Sequence, residues 1–397
     1  MGEQTPPLPY PFTSDEPLEL SPLYVGLRAG PLCRVRLPYG EDAWLVTRYA
    51  DARAVLSSPQ FSLAAGTGRD QPRMRPYSFS GTGLLSTEGP DHSRLRGVVA
   101  RHFSARRIDQ MRVRMQEVTQ ELVDRLQESG PPGDLVQDFA SPLSRIMIFD
   151  LLGVPEKGRD RVQKCLDAVL GYNVSAEDFT AQAESYLTYL TDVVELRRQK
   201  PREDLLTCLL QAREEGRLTQ DELFELTSEL LIGGFSTIYH QISNFLYLLL
   251  RRPEWLQRLR EHTSDIAGAV EEMLRYVPLP NGLIFPRYAT QDIEVGGALV
   301  RAGEPVLVDM SAANRDPAVF SDAETLLLER EPEAPHLSFG YGAHLCVGRQ
   351  LARLELQIAL RTLLGHMPGL KLAVPDSGMR WKTEAILKGP HELPVHW

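Results

Sequence analysis

One cysteine in this chain stands where a thiol is suited to bind metal. It lies in the run Phe339-Gly340-Tyr341-Gly342-Ala343-His344-Leu345-Cys346-Val347-Gly348, directly ahead of a segment of helical character, Arg349-Gln350-Leu351-Ala352-Arg353-Leu354-Glu355. Backbone N–H groups at a helix start favour negative charge and so stabilise a thiolate. Gly340 and Gly342 give the loop conformations closed to other residues, and Gly348 lets a flat ligand lie close to the backbone. No Cys or His stands near Cys346 at zinc spacing, so the thiolate suits a single axial bond to an iron. The alternative fate of such a cysteine is a small buried hydrophobe.

Three further groupings could do chemistry. In Leu231-Ile232-Gly233-Gly234-Phe235-Ser236-Thr237-Ile238 two adjacent glycines interrupt an apolar helical pattern. Each costs about 1 kcal/mol against alanine, so something approaches or bends the backbone there. Gly233 and Thr237 are one turn apart and share a face. His92 and Arg96 lie four apart on one helical face, and Glu272 and Arg275 three apart on another.

These motifs together resemble the cytochrome P450 family. The cysteine run fills every fixed position of its F-x-x-G-x-x-x-C-x-G signature, from Phe339 through Cys346 to Gly348. The resemblance implies haem b with an axial thiolate from Cys346, and a mainly α fold with a minor β region enclosing it. It implies that His92, Arg96, Arg287 and His344 hold the haem propionates, for which arginine's forked donors are suited. Glu272-Met273-Leu274-Arg275 is similar to the family's E-x-x-R motif, with Arg330 as the later arginine that joins the pair. These three residues are expected to be structural, holding the loop that holds the haem.

Gly233, Gly234 and Thr237 match the family's oxygen-binding motif, with Thr237 as its threonine. The acidic position of that motif is Ser236, a departure. In the family the acid and threonine relay protons to bound dioxygen; a serine hydroxyl passes a proton along a hydrogen-bond chain but is a poor acid. Thr237 and Ser236 are therefore the expected catalytic residues, with water, substrate or His240 as possible sources of the proton. By resemblance, substrate contacts come from the 62–89 loop, from Phe235, from Leu283 and Phe285 in the 281–285 segment, and from Ile386 in the 385–387 segment.

The elements that must position these groups are mostly helical. Val35 to Val46 alternates as a short hairpin turning at Tyr39-Gly40, and Tyr49 to Ser57 reads as a helix. Residues 62–89 are rich in glycine, proline and arginine without helical period, the segment that covers the pocket in the family. Ser104 is a plausible N-cap for a helix that Gly130-Pro131 ends. Amphipathic helices follow over roughly 139–152, 158–171, 177–199, 203–214 and 219–250, then Ile266 to Tyr276. Strand-like pieces close the chain at Ile293 to Val295, Pro305 to Val308 and His391 to Trp397.

The chain has 397 residues and shows no linker or repeat, so a single domain over 1–397 is expected, with 1–17 an extended N-terminal segment. A formal charge of −10 argues against general nucleic-acid binding. The four cysteines, at 33, 165, 208 and 346, have no disulfide or zinc spacing, which fits the cytoplasm. The N-terminus has no basic start before an apolar run, and the apolar stretch Leu226–Leu250 is broken by Ser228, Glu229, His240, Gln241 and Asn244, so neither membrane anchor nor span is expected. Arg94, Arg101, Arg106, Arg107, Arg112 and Arg114 form a basic run, which Arg349 and Arg353 could extend; the resemblance implies docking of a ferredoxin-type electron donor there.

The expected function is a haem-thiolate oxidase that activates dioxygen to oxidise a small, largely apolar or aromatic secondary metabolite, by hydroxylation, epoxidation or coupling. A variant of this reading is radical coupling of an aromatic cyclic dipeptide. Readings of another class are a haem sensor or a non-catalytic auxiliary subunit, against which Thr237 and Cys346 respectively stand.

Overall fold

The structure is a computed structural model that describes residues 6–76, 83–155, 157, 159–171, 174–280, 285–383 and 385–397. The chain falls into two compact units, one of residues 1–92 with 272–346, the other of residues 93–271 with 347–397.

The first unit is built on a six-stranded sheet in the order Leu8–Pro9, Cys33–Arg36, Ala43–Val46, Pro305–Val308, Arg287–Ala289, Phe61–Ser62. The expected hairpin is its centre: Cys33 pairs with Leu45 and Val35 with Ala43. Gly40 turns it at φ +86°, and a Cβ there would sit 2.0 Å from the Gln71 carbonyl oxygen. A second hairpin, Ile293–Val295 with Ala298–Val300, turns through Gly296 and Gly297, both at positive φ as a two-residue hairpin loop requires. Helix Tyr49–Ser57 forms over the residues expected and packs with Val46, Phe61, Val306, Phe320 and Leu337 into one core.

Beside that core lies a buried ionic knot. Glu272 receives Arg275 through Nε and Nη2, both at 2.8 Å, and Arg330 through Nε at 3.1 Å to both carboxylate oxygens. The side chains of all three are almost wholly buried. Desolvating these ions is costly, so every remaining donor must be used. Arg275 Nη1 donates to the carbonyls of Asn314 and Ala323 at 2.9 and 2.8 Å, and Arg330 Nη2 to those of Asp322 and Thr325 at 3.1 Å. The Leu327 amide closes on Glu272 at 2.9 Å. Arg330 is thus the third member, as expected.

Sequence reasoning missed the second half of this framework. Arg315 is 1 % exposed, stacks 3.6 Å over the Tyr276 ring, and binds Glu19 at 2.6 Å. Asn314 Oδ1 accepts from Leu337 N at 2.6 Å while its Nδ2 donates to Ser338 Oγ at 2.8 Å. The signal was available: Asn314-Arg315-Asp316 is a polar triplet directly behind an apolar run.

The second unit is helical. Its axis is the 31-residue helix Gln220–Leu250, started by a capping box in which Thr219 and Glu222 exchange side-chain and backbone hydrogen bonds. Helices Ser141–Leu152 and Arg349–His366 pack along it; Ala105–Ser129, Arg159–Leu170, Ala176–Gln199, Leu205–Glu214 and Pro253–Glu261 complete the unit. A three-stranded antiparallel sheet joins Lys371–Leu372, Pro394–His396 and Gly133–Asp134. No described helix is long and apolar enough to cross a membrane.

Two local expectations differ. Ser104 occupies the N-cap position of Ala105–Ser129 with extended backbone, but its side chain makes no capping bond. The helix expected from 139 begins earlier, as a π-turn over Leu135–Ala140 capped by Asp134, whose Oδ1 accepts from Val136 N at 2.9 Å.

Removing the shared carboxylate of the knot leaves the buried Arg275 guanidinium uncompensated and Arg330 with Glu333 alone, 3.2 Å from its Nη1. Glu272→Ala is expected to cost about 3–5 kcal/mol in urea unfolding of the holoprotein. Arg380→Ala, which removes the exposed pair with Glu392, is expected to leave the midpoint unchanged.

Candidate functional site

In the first unit the loop Phe339–Cys346 is shaped by two residues at φ +75°, Gly340 and Gly342. A Cβ on Gly342 would stand 2.5 Å from the Leu56 carbonyl oxygen, so both its torsion and its space demand glycine. The Cys346 amide donates to Phe339 O at 2.8 Å and the Gly340 amide to Leu337 O at 2.8 Å. Through Leu337 and Ser338 this loop is tied to Asn314, hence to the stretch the ionic knot grips. Ser338 Oγ also donates to Leu274 O at 2.6 Å, within the helix that carries Glu272 and Arg275. Cys346 and Phe339 are half-buried, and no disulfide joins the four cysteines. The next helix starts at Arg349, three residues after the cysteine.

Two of the expected haem contacts meet here, one from the loop itself and one packed against it. The His344 and His92 rings lie 4.3 Å apart, with His92 buried. Arg287 begins its strand as expected, is 6 % exposed, and spends Nη1 on Phe61 O at 3.2 Å. Burial lowers its pKa, opposed by the field of Glu88. Glu88 is itself taken by Ser62 Oγ and the Leu63 amide. Among the described residues Arg287 makes no ion pair. A buried guanidinium in that state fits an anionic group as its partner.

In the second unit the glycine pair divides its work. A Cβ on Gly234 would lie 2.4 Å from Ile148 Cδ1 on helix Ser141–Leu152, so Gly234 permits close helix packing. A Cβ on Gly233 would meet nothing within 4 Å. Beside this open cradle Thr237 Oγ1 donates to Gly233 O at 2.6 Å, the back-bond common to threonine in helices. A half-exposed threonine and an unobstructed glycine, set mid-helix among buried neighbours, leave room for a flat ligand. Ser236 points elsewhere: it is 0 % exposed, and its Oγ has no hydrogen-bond partner among the described residues.

His240 is committed at both nitrogens. Nδ1 lies 2.7 Å from Ser236 O, which as a carbonyl can only accept, so Nδ1 carries the proton; Nε2 lies 3.5 Å from the Lys382 ammonium and accepts. Burial, aided by Lys382, pushes its pKa down to about 3. A neutral ring with this tautomer locks the helix to the 380–391 segment and leaves no hydrogen-bond chain from Ser236 Oγ through the ring.

The remaining candidates are dispersed. Phe235 and Ile386 are buried in the second unit and Phe285 is 48 % exposed in the first; Leu283 lies outside the described residues. Arg96 sits half-buried one turn after His92 on helix Gly89–Ala100. Part of the basic run is paired: Arg94 grips Glu222, Arg112 pairs with Asp109, Arg114 reaches Asp150, and Arg353 holds Glu271 by two bonds of 2.6 and 2.8 Å.

Comparison with known proteins places these features. The family profile "Cytochrome P450" matches residues 177–368. The chain is 45 % identical to mycinamicin IV hydroxylase/epoxidase of Micromonospora griseorubida, over 98 % of this chain and 99 % of that one. It is also 45 % identical to nocardicin C N-oxygenase of Nocardia uniformis subsp. tsuyamanensis, over 98 % of each. A crystal structure of HinD with NMFT and NO superposes with a TM-score of 0.95 at 42 % identity, covering 99 % of this chain and 100 % of that one.

The depressed His240 pKa makes a stability prediction. The unfolded imidazole takes up a proton as pH falls through about 6.5, whereas the folded one stays neutral until about 3. Stability is therefore full above the unfolded value and lost as pH falls between the two, by about 1.4 kcal/mol per pH unit for this group. His240→Gln, whose amide can still donate to Ser236 O and accept from Lys382, is expected to flatten that part of the stability-against-pH curve measured by urea unfolding.

Proposed function

Because this chain belongs to the cytochrome P450 family, enzymes whose haem b is carried on a cysteine thiolate, we propose that Cys346 is the ligand and that the protein monooxygenates a small, largely apolar or aromatic secondary metabolite. The observation that carries this reading is the Cys346 loop, whose glycines are required by torsion and contact and whose base is fastened to the Glu272 knot. When bound, the haem supplies reductive activation of dioxygen, with the thiolate's electron donation favouring O–O cleavage.

The chain's own residues have separable tasks. Arg287, Arg96, His92 and His344 hold the propionates, Arg287 gaining the counter-charge it otherwise lacks among the described residues. Phe339 closes the thiolate loop by accepting the Cys346 amide. Gly233 and Gly234 keep the central helix thin on two sides, one for ligand and one for packing. Thr237 holds a proton at Oγ1, now given to the Gly233 carbonyl, and presents it to the reacting oxygen. Ser236 fills the position of the usual acid without its acidity, and its buried hydroxyl makes it the lesser contributor. Phe235, Phe285 and Ile386 supply apolar contacts to the substrate.

The pairing of the basic run narrows the docking surface for an electron donor. We assign that donor to the ferredoxin type, meeting arginines such as the exposed Arg106 rather than the whole run. The enzyme acts in the cytoplasm, as a single P450 domain over 1–397. The mycinamicin and nocardicin relatives are a hydroxylase/epoxidase and an N-oxygenase, which favours oxygen insertion over cyclic-dipeptide coupling.

A carbon monoxide spectrum of the reduced holoprotein tests the ligand. Wild type is expected to give a thiolate-type Soret band and Cys346→Ser to lose it; an unchanged band in the variant refutes the assignment. Arg287→Leu is expected to lower haem retained through gel filtration while the thiolate-type band of the remaining fraction persists. With substrate, Thr237→Ala is expected to slow product formation roughly a hundredfold and lower product per reducing equivalent. Ser236→Ala should change both less, and the reverse ranking would overturn the roles given to these two hydroxyls.

A further inference from the structure

The second unit carries a polar cluster that the haem chemistry leaves unexplained. Lys382 Nζ donates to Tyr239 Oη at 3.1 Å, reaches His240 Nε2 at 3.5 Å, and lies 4.9 Å from the Tyr239 ring centre. Its backbone is fixed too, with Lys382 N donating to Gly389 O at 2.9 Å. Asn244 Nδ2 donates to Lys388 O at 3.0 Å, and Gly389 lies so close to His240 that a Cβ would meet its Cδ2 at 2.5 Å. The imidazole is wedged, and the lysine is held between two neutral partners.

Assigning each hydrogen shows what this cluster lacks. Tyr239 Oη accepts from Lys382, so its own O–H is left to donate, and no described residue accepts it. An ammonium has three donors and no acceptor; two are directed to Tyr239 and His240 and the third is unspent. His240 offers nothing further, because Nδ1–H is given to Ser236 O and Nε2 is used by Lys382. The cluster therefore presents two spare donors, on atoms 3.1 Å apart, and one positive charge.

No described carboxylate comes within ion-pair distance of Lys382. Asp167 and Asp134 act on it only through their fields, which oppose the effect of burial on its pKa, and Asp167 Oδ1 is engaged by Gln163 at 2.9 Å. Burial keeps the Tyr239 phenol protonated and hence a donor. Tyr239 and Lys382 are both half-buried, so a small solute can reach them. The Phe235 ring backs Tyr239 at 5.1 Å, making the neighbouring wall aromatic.

We infer that Lys382 and Tyr239 form an anchor for a substrate carboxylate, one oxygen on Nζ and the other on Oη. A carboxylate is acceptor-only with two oxygens, the complement of a site that is donor-only with two hydrogens. The inference rests on the oxygenase reading and deepens it: the substrate class is an aromatic or apolar body bearing an acid. An amine-bearing substrate would meet like charge, and an ester would forfeit the charge-assisted bond.

Isothermal titration calorimetry of the holoprotein tests this with hydrocinnamate, indole acetate and N-acetyl-tryptophan, each beside its methyl ester. The acid is expected to bind roughly tenfold or more tightly than its ester in at least one pair. Lys382→Met is expected to erase that preference while leaving ester affinity within about twofold, and Tyr239→Phe to reduce the preference by a smaller factor, roughly threefold. If no pair shows acid preference in wild type, or if Lys382→Met retains it, the inference is overturned. Each variant's reduced carbon monoxide spectrum reports fold and cofactor; should Lys382→Met lose its band, Lys382→Gln and Tyr239→Phe carry the same comparison. A wild-type protein without the thiolate band would defeat the oxygenase reading while leaving the calorimetric result to judge the anchor.

Discussion

A single carboxylate, Glu272, organises the unit that carries the Cys346 loop. Two guanidiniums converge on it; both donate to backbone carbonyls between residues 314 and 325, and Arg330 also reaches Glu333. In low dielectric the alternative to full satisfaction is an orphaned charge, so the arrangement has one good solution and many poor ones. That property fixes an irregular stretch of chain no regular ladder could hold. Asn314 then passes the constraint on to Leu337 and Ser338, and so to the base of the Cys346 loop. The Cys346 loop owes its position to ionic chemistry distant from it in sequence.

The central helix solves a different problem. It must be continuous to span its unit, yet thin enough to admit a neighbouring helix on one side and stay open on another. Adjacent glycines meet both demands, and the capping box at Thr219 with the buried face from Leu223 to Leu250 offsets their propensity cost. His240 and Lys382 then fasten the C-terminal segment to the helix just past the threonine. Polar side chains here do the work that apolar packing does elsewhere, which explains why a histidine is kept neutral inside the protein.

Most of this was legible in the sequence where local rules govern. The hairpin turning at Gly40, helix Tyr49–Ser57 and the long helix expected over roughly 219–250 follow from turn chemistry and periodicity, and formed where expected. Glu272, Arg275 and Arg330 were legible because their spacing matched a known pattern. Arg315, Asn314 and the Lys382–Tyr239–His240 cluster were not, because their partners are distant in sequence: Glu19 is 296 residues from Arg315, and Tyr239 is 143 from Lys382. Ser236 shows the opposite limit. Its place in a motif suggested a role, while its burial depends on helix phase and on what packs against the helix.

The contact between Gly234 and Ile148 ties the histories of two positions. A methyl group at 234 would meet Ile148 Cδ1 at 2.4 Å and Cγ1 at 2.9 Å, so the side chain at 148 must move or shorten to receive it. Paired change, or glycine kept at 234, leaves the long helix seated, so the girth of one side chain on its neighbour sets which residues this segment can explore.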